Sequence, residues 1–497
     1  MTEAELSERS ERSERIRLLI LLLLAALLLA RLVAMAVLPL MDTTESRYAE
    51  IGRKMAELGD WVTPWYDEGV PFWGKPPLSF WLTAASFKVL GVTEFAARLP
   101  HLLCALLTAA LAWHLGRQRS LREGLVALAL LIGSLLFFVG GGAVMTDPAL
   151  VLGTTLAMQG FWLALHHPTR SGRRLQGWLL FLGLAIGLLA KGPIAAVFVA
   201  VPLLLWTVLS RQAGAVWRGI PWLGGTALTA LLVAPWYLLA EQRTPGFLRY
   251  FLLGEHWQRF VTPGWAGDLY GHAHRVAPGS IWLYALGATL PWLLLLPVAF
   301  KSRATQKAGD DADTPAWQRY LLLWALWPLI FFTAARNIIW PYVLPSLPAV
   351  ALLAAGWLER RAPPGRSDAW IVGGLALTLF TSATVLTVGL RTGRFDRATA
   401  RSVVRAYEAV RAPGQPLAFM GHRPSSAVFY AQGQAALVAD AQALVRRFDH
   451  RGGFVAVESG AAKESLLLAF AGAGVLRVGQ FGAYELLRVT PGKDTPP

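Results

Sequence analysis

A succession of long, almost charge-free apolar runs leaves this chain few ways to fold. They fall at about 17–39, 96–116, 123–141, 147–165, 175–190, 193–210, 219–240, 280–300, 317–334, 341–358 and 368–390. A helix needs about 20 apolar residues to cross the hydrocarbon core of a bilayer, where every backbone polar group must be satisfied within the protein. Of the 497 residues only 15% are charged and 55% are hydrophobic, whereas soluble domains run near a quarter charged. The expectation is a polytopic α-helical membrane protein with roughly eleven transmembrane helices. The first run follows a charged tail without a small-residue cleavage site, so it reads as a span rather than a signal peptide. Residues 1–16 are polar and are expected to be disordered. Cys104, the single cysteine, lies inside a span and excludes an intrachain disulfide.

The net charge of +15 is not the footprint of a nucleic-acid binder. Its cations sit in short connections between spans: Arg117, Arg119 and Arg122; Arg170, Arg173 and Arg174; Arg211 and Arg218; Lys301, Arg303 and Lys307; Arg360, Arg361 and Arg366. With a cytoplasmic N-terminus, strict alternation puts all of these on the cytoplasmic side, as the positive-inside rule requires. The other face receives two long loops, 40–95 and 241–279, and the tail from about 391. Trp61, Trp65, Trp73, Trp257 and Trp265 lie in those loops, where an interfacial aromatic belt would place them. Within 40–95, residues 46–58 read as an amphipathic helix through Tyr48, Ile51, Met55 and Leu58, and 77–90 is too short to cross. The segment FLRYFLLGEHWQRF of the second loop is apolar and basic enough to lie flat on the membrane.

After Arg391 the pattern changes. Strand-like runs at 416–421, 427–431, 454–458 and 484–489 alternate with helical patterns near 397–411, 441–449 and 462–472. This reads as a small C-terminal α/β domain, giving two domains, 1–390 and 391–497, the second on the outer side. His422 there reads as a structural loop residue.

Polar clusters recur at the outer ends of the spans. Asp42, Glu45, Arg47 and Glu50 follow the first span; Lys75 lies in FWGKPP; Asp147 opens a span in MTDP; Lys191 occupies a Gly-Pro break in AKGP; and EHWQRF in the second loop adds His256 and Arg259. Each has a plainer reading. The first cluster could be a solvated juxtamembrane helix, Asp147 a helix N-cap before Pro148, and Lys191 a snorkelling lysine. Taken together, fixed cations beside lipid suit a phosphate or pyrophosphate leaving group, and a carboxylate suits proton removal from an attacking hydroxyl. Sugar transfer from a polyprenyl phosphate needs both. No P-loop or GxGxxG motif is present, in keeping with a lipid-linked rather than nucleotide-linked donor.

In order, TESRYAEIGRKMAELGDWVTP, GKPPLSFW, TDPAL, KGP, EHWQRF and YVLPSLPAVALL resemble the bacterial aminoarabinose transferases that modify lipid A. These share the GT-C architecture with the dolichyl-phosphate-mannose protein mannosyltransferases. The resemblance covers about residues 17–360. It implies an inverting glycosyltransferase of the bacterial inner membrane, active on the periplasmic face. The donor would be a polyprenyl-phosphate sugar, and the acceptor lipid A, another glycolipid or a protein. The first catalytic carboxylate would be Asp42 or Glu45, and Asp147 the second. Arg47, Lys75 and Lys191 would contact the donor phosphate, joined by Arg259, with Arg336 supplying the charge before the YVLP motif. His256 would belong to a divalent metal site, although its glutamate partner in the family is Gly74 here. A transporter or flippase is the competing class. Such a protein usually buries ionisable groups midway along its spans, and these spans are nearly free of them.

Overall fold

The computed structural model describes residues 3–262, 264–271, 274–294, 314–361, 366–448, 452–458 and 474–490. They divide into two compact units: Met1–Val33, Asp60–Leu82 and Arg98–Ala383 form the first, and Ala34–Gly59, Thr83–Ala97 and Thr384–Pro497 the second.

The first unit is helical. Among the described residues seven helices are long and apolar enough to cross a membrane: Glu14–Val37, Glu94–Arg117, Asp147–His166, Arg170–Lys191, Trp222–Arg243, Trp340–Arg360 and Asp368–Arg391. The chain is thus a multi-pass membrane protein. Four expected spans are built differently. The run 123–141 is two helices, Leu121–Gly133 and Leu135–Gly140, parted by an extended Ser134. At that break the Leu135 N–H donates to Leu290 O at 2.8 Å, so a neighbouring connection supplies the acceptor that a continuous helix would have supplied. The run 193–210 is the 16-residue helix Ile194–Leu209, and 317–334 is the 20-residue helix Thr314–Thr333, whose first turns carry Gln318 and Arg319. The run 280–300 forms the helix Ser280–Ala288; its portion beyond 294 lies outside the described residues, as do Lys301, Arg303 and Lys307. The polar start of the chain is not disordered from Glu3 on. It continues the first helix, with Arg15 and Glu11 3.5 Å apart one turn from each other.

The packing that positions the site is a glycine seam between Asp147–His166 and Arg170–Lys191. A Cβ on Gly153 would lie 2.5 Å from Gly187 N, one on Gly160 2.5 Å from Leu180 N, and one on Gly183 2.5 Å from Ala157 N. The two backbones therefore touch directly, as small residues permit where lipid offers no hydrophobic drive to associate. Nearby, Phe161, Trp162, Trp206, Tyr320 and Trp324 form a buried aromatic core. Its polar tips are paired: the Tyr320 hydroxyl donates to Met158 O at 2.5 Å and Trp206 Nε1 to Ala316 O at 2.9 Å.

The second unit contains a five-stranded sheet. After a short hairpin of the first unit, β1 (Trp65–Asp67) and β2 (Val70–Pro71), the strands are β3 (Leu417–Met420), β4 (Ala435–Val438), β5 (Gly453–Glu458), β6 (Gly474–Phe481) and β7 (Tyr484–Thr490). Their order is β4-β3-β5-β7-β6, with β3 parallel to β4 and β5, and β7 antiparallel to β5 and β6. Leu417 and Phe419 pack on helix Arg401–Val410 through Val403, Val404 and Tyr407; Ala418 and Met420 pack on helix Ala441–Phe448 through Leu444 and Phe448. Covered on both faces, β3 is apolar throughout. The expected strand 427–431 is instead within helix Ser425–Tyr430, because so short an apolar run cannot separate a buried helix from a buried strand. The expected helix 462–472 lies outside the described residues. Helix Thr44–Leu58 packs against Ser425–Tyr430 within this unit, burying Tyr48, Ile51 and Met55 but leaving Leu58 exposed.

Gly183→Leu should destabilise the first unit by on the order of 3 kcal/mol, since neither backbone at the seam can give way. Gly373→Ala, whose added Cβ meets nothing within 4 Å, should leave thermal unfolding in detergent unchanged. Equal melting temperatures for the two variants would contradict this account of the seam.

Candidate active site

The seam sets the ends of its two helices side by side. Asp147 opens one helix, followed by Pro148 in its first turn, and Lys191 closes the other, just before Gly192 with φ +80°. Lys191 Nζ donates to Asp147 Oδ1 at 2.6 Å and lies 4.4 Å from the centre of the Tyr342 ring. The charge of each residue is thus neutralised locally, with a cation–π contact beside the ion pair. Asp147 and most of Lys191 are buried, so each charge depends on the other for its compensation.

A second cluster comes from the segment Phe247–Val261, whose middle, Tyr250–Gln258, is π-helical. Glu255 is its hub. Arg259 Nη1 donates to both Glu255 oxygens, at 2.7 and 2.9 Å, and Lys75 Nζ donates to Oε1 and, at 2.6 Å, to Gly74 O. Arg259 Nη2 also stands 3.4 Å from Asp268 Oδ2. Burial alone would raise the Glu255 carboxyl, but the two cations outweigh it and hold the group below the ordinary carboxylate range. Arg259 is correspondingly pushed up: burial opposes its charge, and Glu255 more than compensates.

These groups border a cavity of about 470 Å³. Lys75, Lys191, Glu255, His256, Arg259 and Asn337 give its polar lining, and Leu252, Phe260, Phe331, Phe332, Ile194 and Val197 its apolar lining. The arrangement is an anion-binding rim on an apolar pocket, as an amphiphile with a charged head requires.

Of the residues singled out from sequence, Lys75, Lys191, His256 and Arg259 line this cavity, and Asp147 joins them only through its bond to Lys191. Arg336 does not line the cavity; its side chain is exposed, and its neighbour Asn337 takes the lining position. Asp42, Glu45 and Arg47 belong to the second unit. There Asp42 Oδ1 accepts from Ser426 N at 2.8 Å and Ser46 Oγ at 2.7 Å, and Oδ2 accepts from Ser426 Oγ. Glu45 Oε2 accepts from Met41 N at 3.1 Å, and the Arg47 guanidinium lies 5.8 Å from the Tyr48 ring centre. Sequence reasoning passed over the bridging role of Glu255, and it missed Asp268, Asn337 and Tyr342. Tyr342 was within reach, standing inside the YVLP motif.

His256 does not fit the metal role. Its Nδ1 lies 2.7 Å from Phe251 O and its Nε2 3.2 Å from Lys191 O, so both ring nitrogens face main-chain carbonyls. Burial and the nearby Lys75 keep its pKa below the usual value. Glu255 is occupied by two cations, and among the described residues no three His, Cys, Asp or Glu side chains cluster at metal-binding distance. The neutral ring carries one N–H, so it donates to one of the two main-chain carbonyls and packs against the other.

Glu255→Gln should cost on the order of 2–3 kcal/mol at pH 7 by leaving Lys75 and Arg259 without their shared anion. Because the folded-state pKa is depressed, this contribution is complete above the ordinary carboxylate value of about 4.3 and is lost as pH falls through the folded value. The melting-temperature gap between wild type and variant should therefore be wide at pH 7 and close at strongly acid pH. A gap that widens towards acid would refute the pairing.

The chain is similar in sequence and in fold to known proteins. The family model for dolichyl-phosphate-mannose-protein mannosyltransferase matches residues 16–251. The undecaprenyl phosphate-alpha-4-amino-4-deoxy-L-arabinose arabinosyl transferase of Edwardsiella ictaluri is 32% identical over 330 residues, covering 65% of this chain and 56% of that protein. Its counterpart in Pseudomonas savastanoi pv. phaseolicola is 34% identical over 361 residues, covering 71% and 64%. The chain thus spans less than two thirds of the length of these relatives. The crystal structure of ArnT from Cupriavidus metallidurans bound to undecaprenyl phosphate superimposes with a TM-score of 0.76 at 19% identity, covering 94% of this chain and 97% of that one. The chain is thus similar in sequence to the bacterial aminoarabinose transferases and, over residues 16–251, to the protein mannosyltransferases, and it shares the fold of the Cupriavidus enzyme.

Proposed function

We propose that the chain transfers a sugar from a polyprenyl-phosphate donor to lipid A or another envelope glycolipid, with aminoarabinose as the sugar. The observation that carries this reading is the rim of Lys75, Lys191 and Arg259 on a cavity whose remaining wall is largely aliphatic and aromatic. The rim matches a phosphate and the wall matches the start of a prenyl chain. The relatives' names supply the sugar, and the ligand of the Cupriavidus structure supplies the carrier. The one-sided placement of Arg117, Arg119, Arg122, Arg170, Arg173 and Arg174 supports an N-terminus in the cytoplasm and a site on the periplasmic face of the inner membrane.

In this reading the donor phosphate takes over the cations that Asp147 and Glu255 now hold. The acceptor oxygen attacks the anomeric carbon, forming the new C–O bond. The bond from that carbon to the phosphate oxygen breaks, and polyprenyl phosphate leaves with the electron pair against Lys75, Lys191 and Arg259. The proton of the acceptor hydroxyl passes to a carboxylate. Asp147, released from Lys191 by the phosphate, takes one carboxylate role. Asp42, or Glu45 in its place, takes the other, which the family resemblance assigns to the acid after the first span. Arg336 stands outside the cavity and takes no part in this scheme. No step runs through a metal.

The test is turnover by the purified chain supplied with undecaprenyl-phosphate aminoarabinose and lipid A, with product read by mass spectrometry. Asp147→Asn and Asp42→Asn should each lower kcat by roughly a hundredfold or more. Lys75→Ala and Lys191→Ala should mainly raise the donor KM. Full turnover in both Asn variants would sink the mechanism. The mannosyltransferase match over 16–251 supports one alternative, a protein acceptor, which the same assay would register as glycosylated protein with lipid A unmodified.

A further inference from the structure

A second cavity lies at the far end of the helix pair that carries Asp147 and Lys191. Those helices are 20 and 22 residues long, so this cavity stands about 30 Å from the ion pair, the thickness of a hydrocarbon core. Its volume is about 880 Å³, and its lining includes Arg170, Arg173, Arg174 and Arg218 together with His166 and Ser171.

The positive-inside rule accounts for cations in connections at one membrane surface. It does not account for four of them converging on one cavity from two separate connections, the start of helix Arg170–Lys191 and the short helix Ala213–Gly219. Among the described residues no Asp or Glu lines this cavity. Two of the four arginines bond main chain: Arg173 Nη1 donates to His167 O at 2.8 Å, and Arg218 Nε to Gly214 O at 3.1 Å. Arg122, in another basic connection, shows the alternative, because Glu359 and Asp368 both bind it. Three arginines without an acid at the start of Arg170–Lys191 also oppose the helix dipole unless an anion joins them. Trp217, largely exposed, stacks near Trp222 at 6.3 Å, the kind of indole pair that sits at headgroup depth.

We propose that this cavity binds a phosphate group at the bilayer surface opposite the transfer site, supplied by an anionic phospholipid headgroup or by a soluble phosphate compound. Bidentate guanidinium contacts suit phosphate oxygens, and the cavity is large enough for a headgroup.

The full chain, purified in neutral detergent, is titrated with phosphatidylglycerol, phosphatidylcholine and inorganic phosphate, and bound species are counted by native mass spectrometry. Replacing Arg170, Arg174 and Arg218 together by Gln should weaken phosphatidylglycerol retention by on the order of tenfold or more, with phosphatidylcholine unaffected. A soluble source would appear as displacement of phosphatidylglycerol by inorganic phosphate in wild type, again lost in the triple variant. Arg117→Gln with Arg119→Gln, which alters basic charge elsewhere, should change neither. Equal retention by wild type and triple variant, or an equal loss in the control pair, overturns the proposal. Should the triple variant fail to insert, Arg170→Gln and Arg218→Gln measured singly give the same two outcomes.

Discussion

The ion pair between Lys191 and Asp147 is where the architecture of the helical unit and its chemistry meet. Neither residue could be held near lipid alone, since an isolated charge there is expensive to bury. The pair forms because two backbones approach closely enough for Gly153, Gly160 and Gly183 to be the residues that fit. That closeness sets the register of the two helices, and the register puts the last residue of one beside the first of the other. The order of cause runs from glycine spacing, through helix contact, to a lysine fixed at the edge of a cavity.

Glu255 repeats the same logic by other means. It lies almost wholly out of water, yet Lys75 and Arg259 keep it ionised. Buried ion pairs of this kind are poor evidence of added stability, because desolvation consumes most of the attraction. Their better-supported use is to keep cations in place without saturating them. A phosphodiester donor carries one charge, as a carboxylate does, and the polyprenyl phosphate that leaves carries a second, so the cations that hold the free protein together favour the leaving group over the donor.

Much of this was legible in the sequence, for identifiable reasons. Apolar runs announce spans because lipid tolerates little else, and charges gathered at span ends announce a site because they are costly there. Lys75, Asp147, Lys191, His256 and Arg259 were found that way. What stayed hidden depends on tertiary contact. Ser134 breaks a run that reads as one span because another connection supplies the acceptor for the next N–H, that of Leu135. The strand β6, half exposed with Arg477 paired to Glu485 at 2.6 Å, lacks the apolar signal of β3. The attachment of 34–59 and 83–97 to the unit that holds the sheet rests on contacts such as Leu40 N to the Tyr430 hydroxyl, nearly four hundred positions apart. Asp268 and Asn337 carry no local pattern at all.

The π-helical winding of Tyr250–Gln258 has a consequence of its own. Such a stretch holds one residue more than an α-helix of the same rise, and here the surplus lets the His256 ring reach the carbonyl of Phe251 five positions back. Loss of a single residue from this segment would let it rewind as α-helix of the same rise, leaving Arg259 near its place while the His256 ring loses its reach to the Phe251 carbonyl. The stretch can therefore take up a change in length within itself, and the wall of the cavity that follows it is spared.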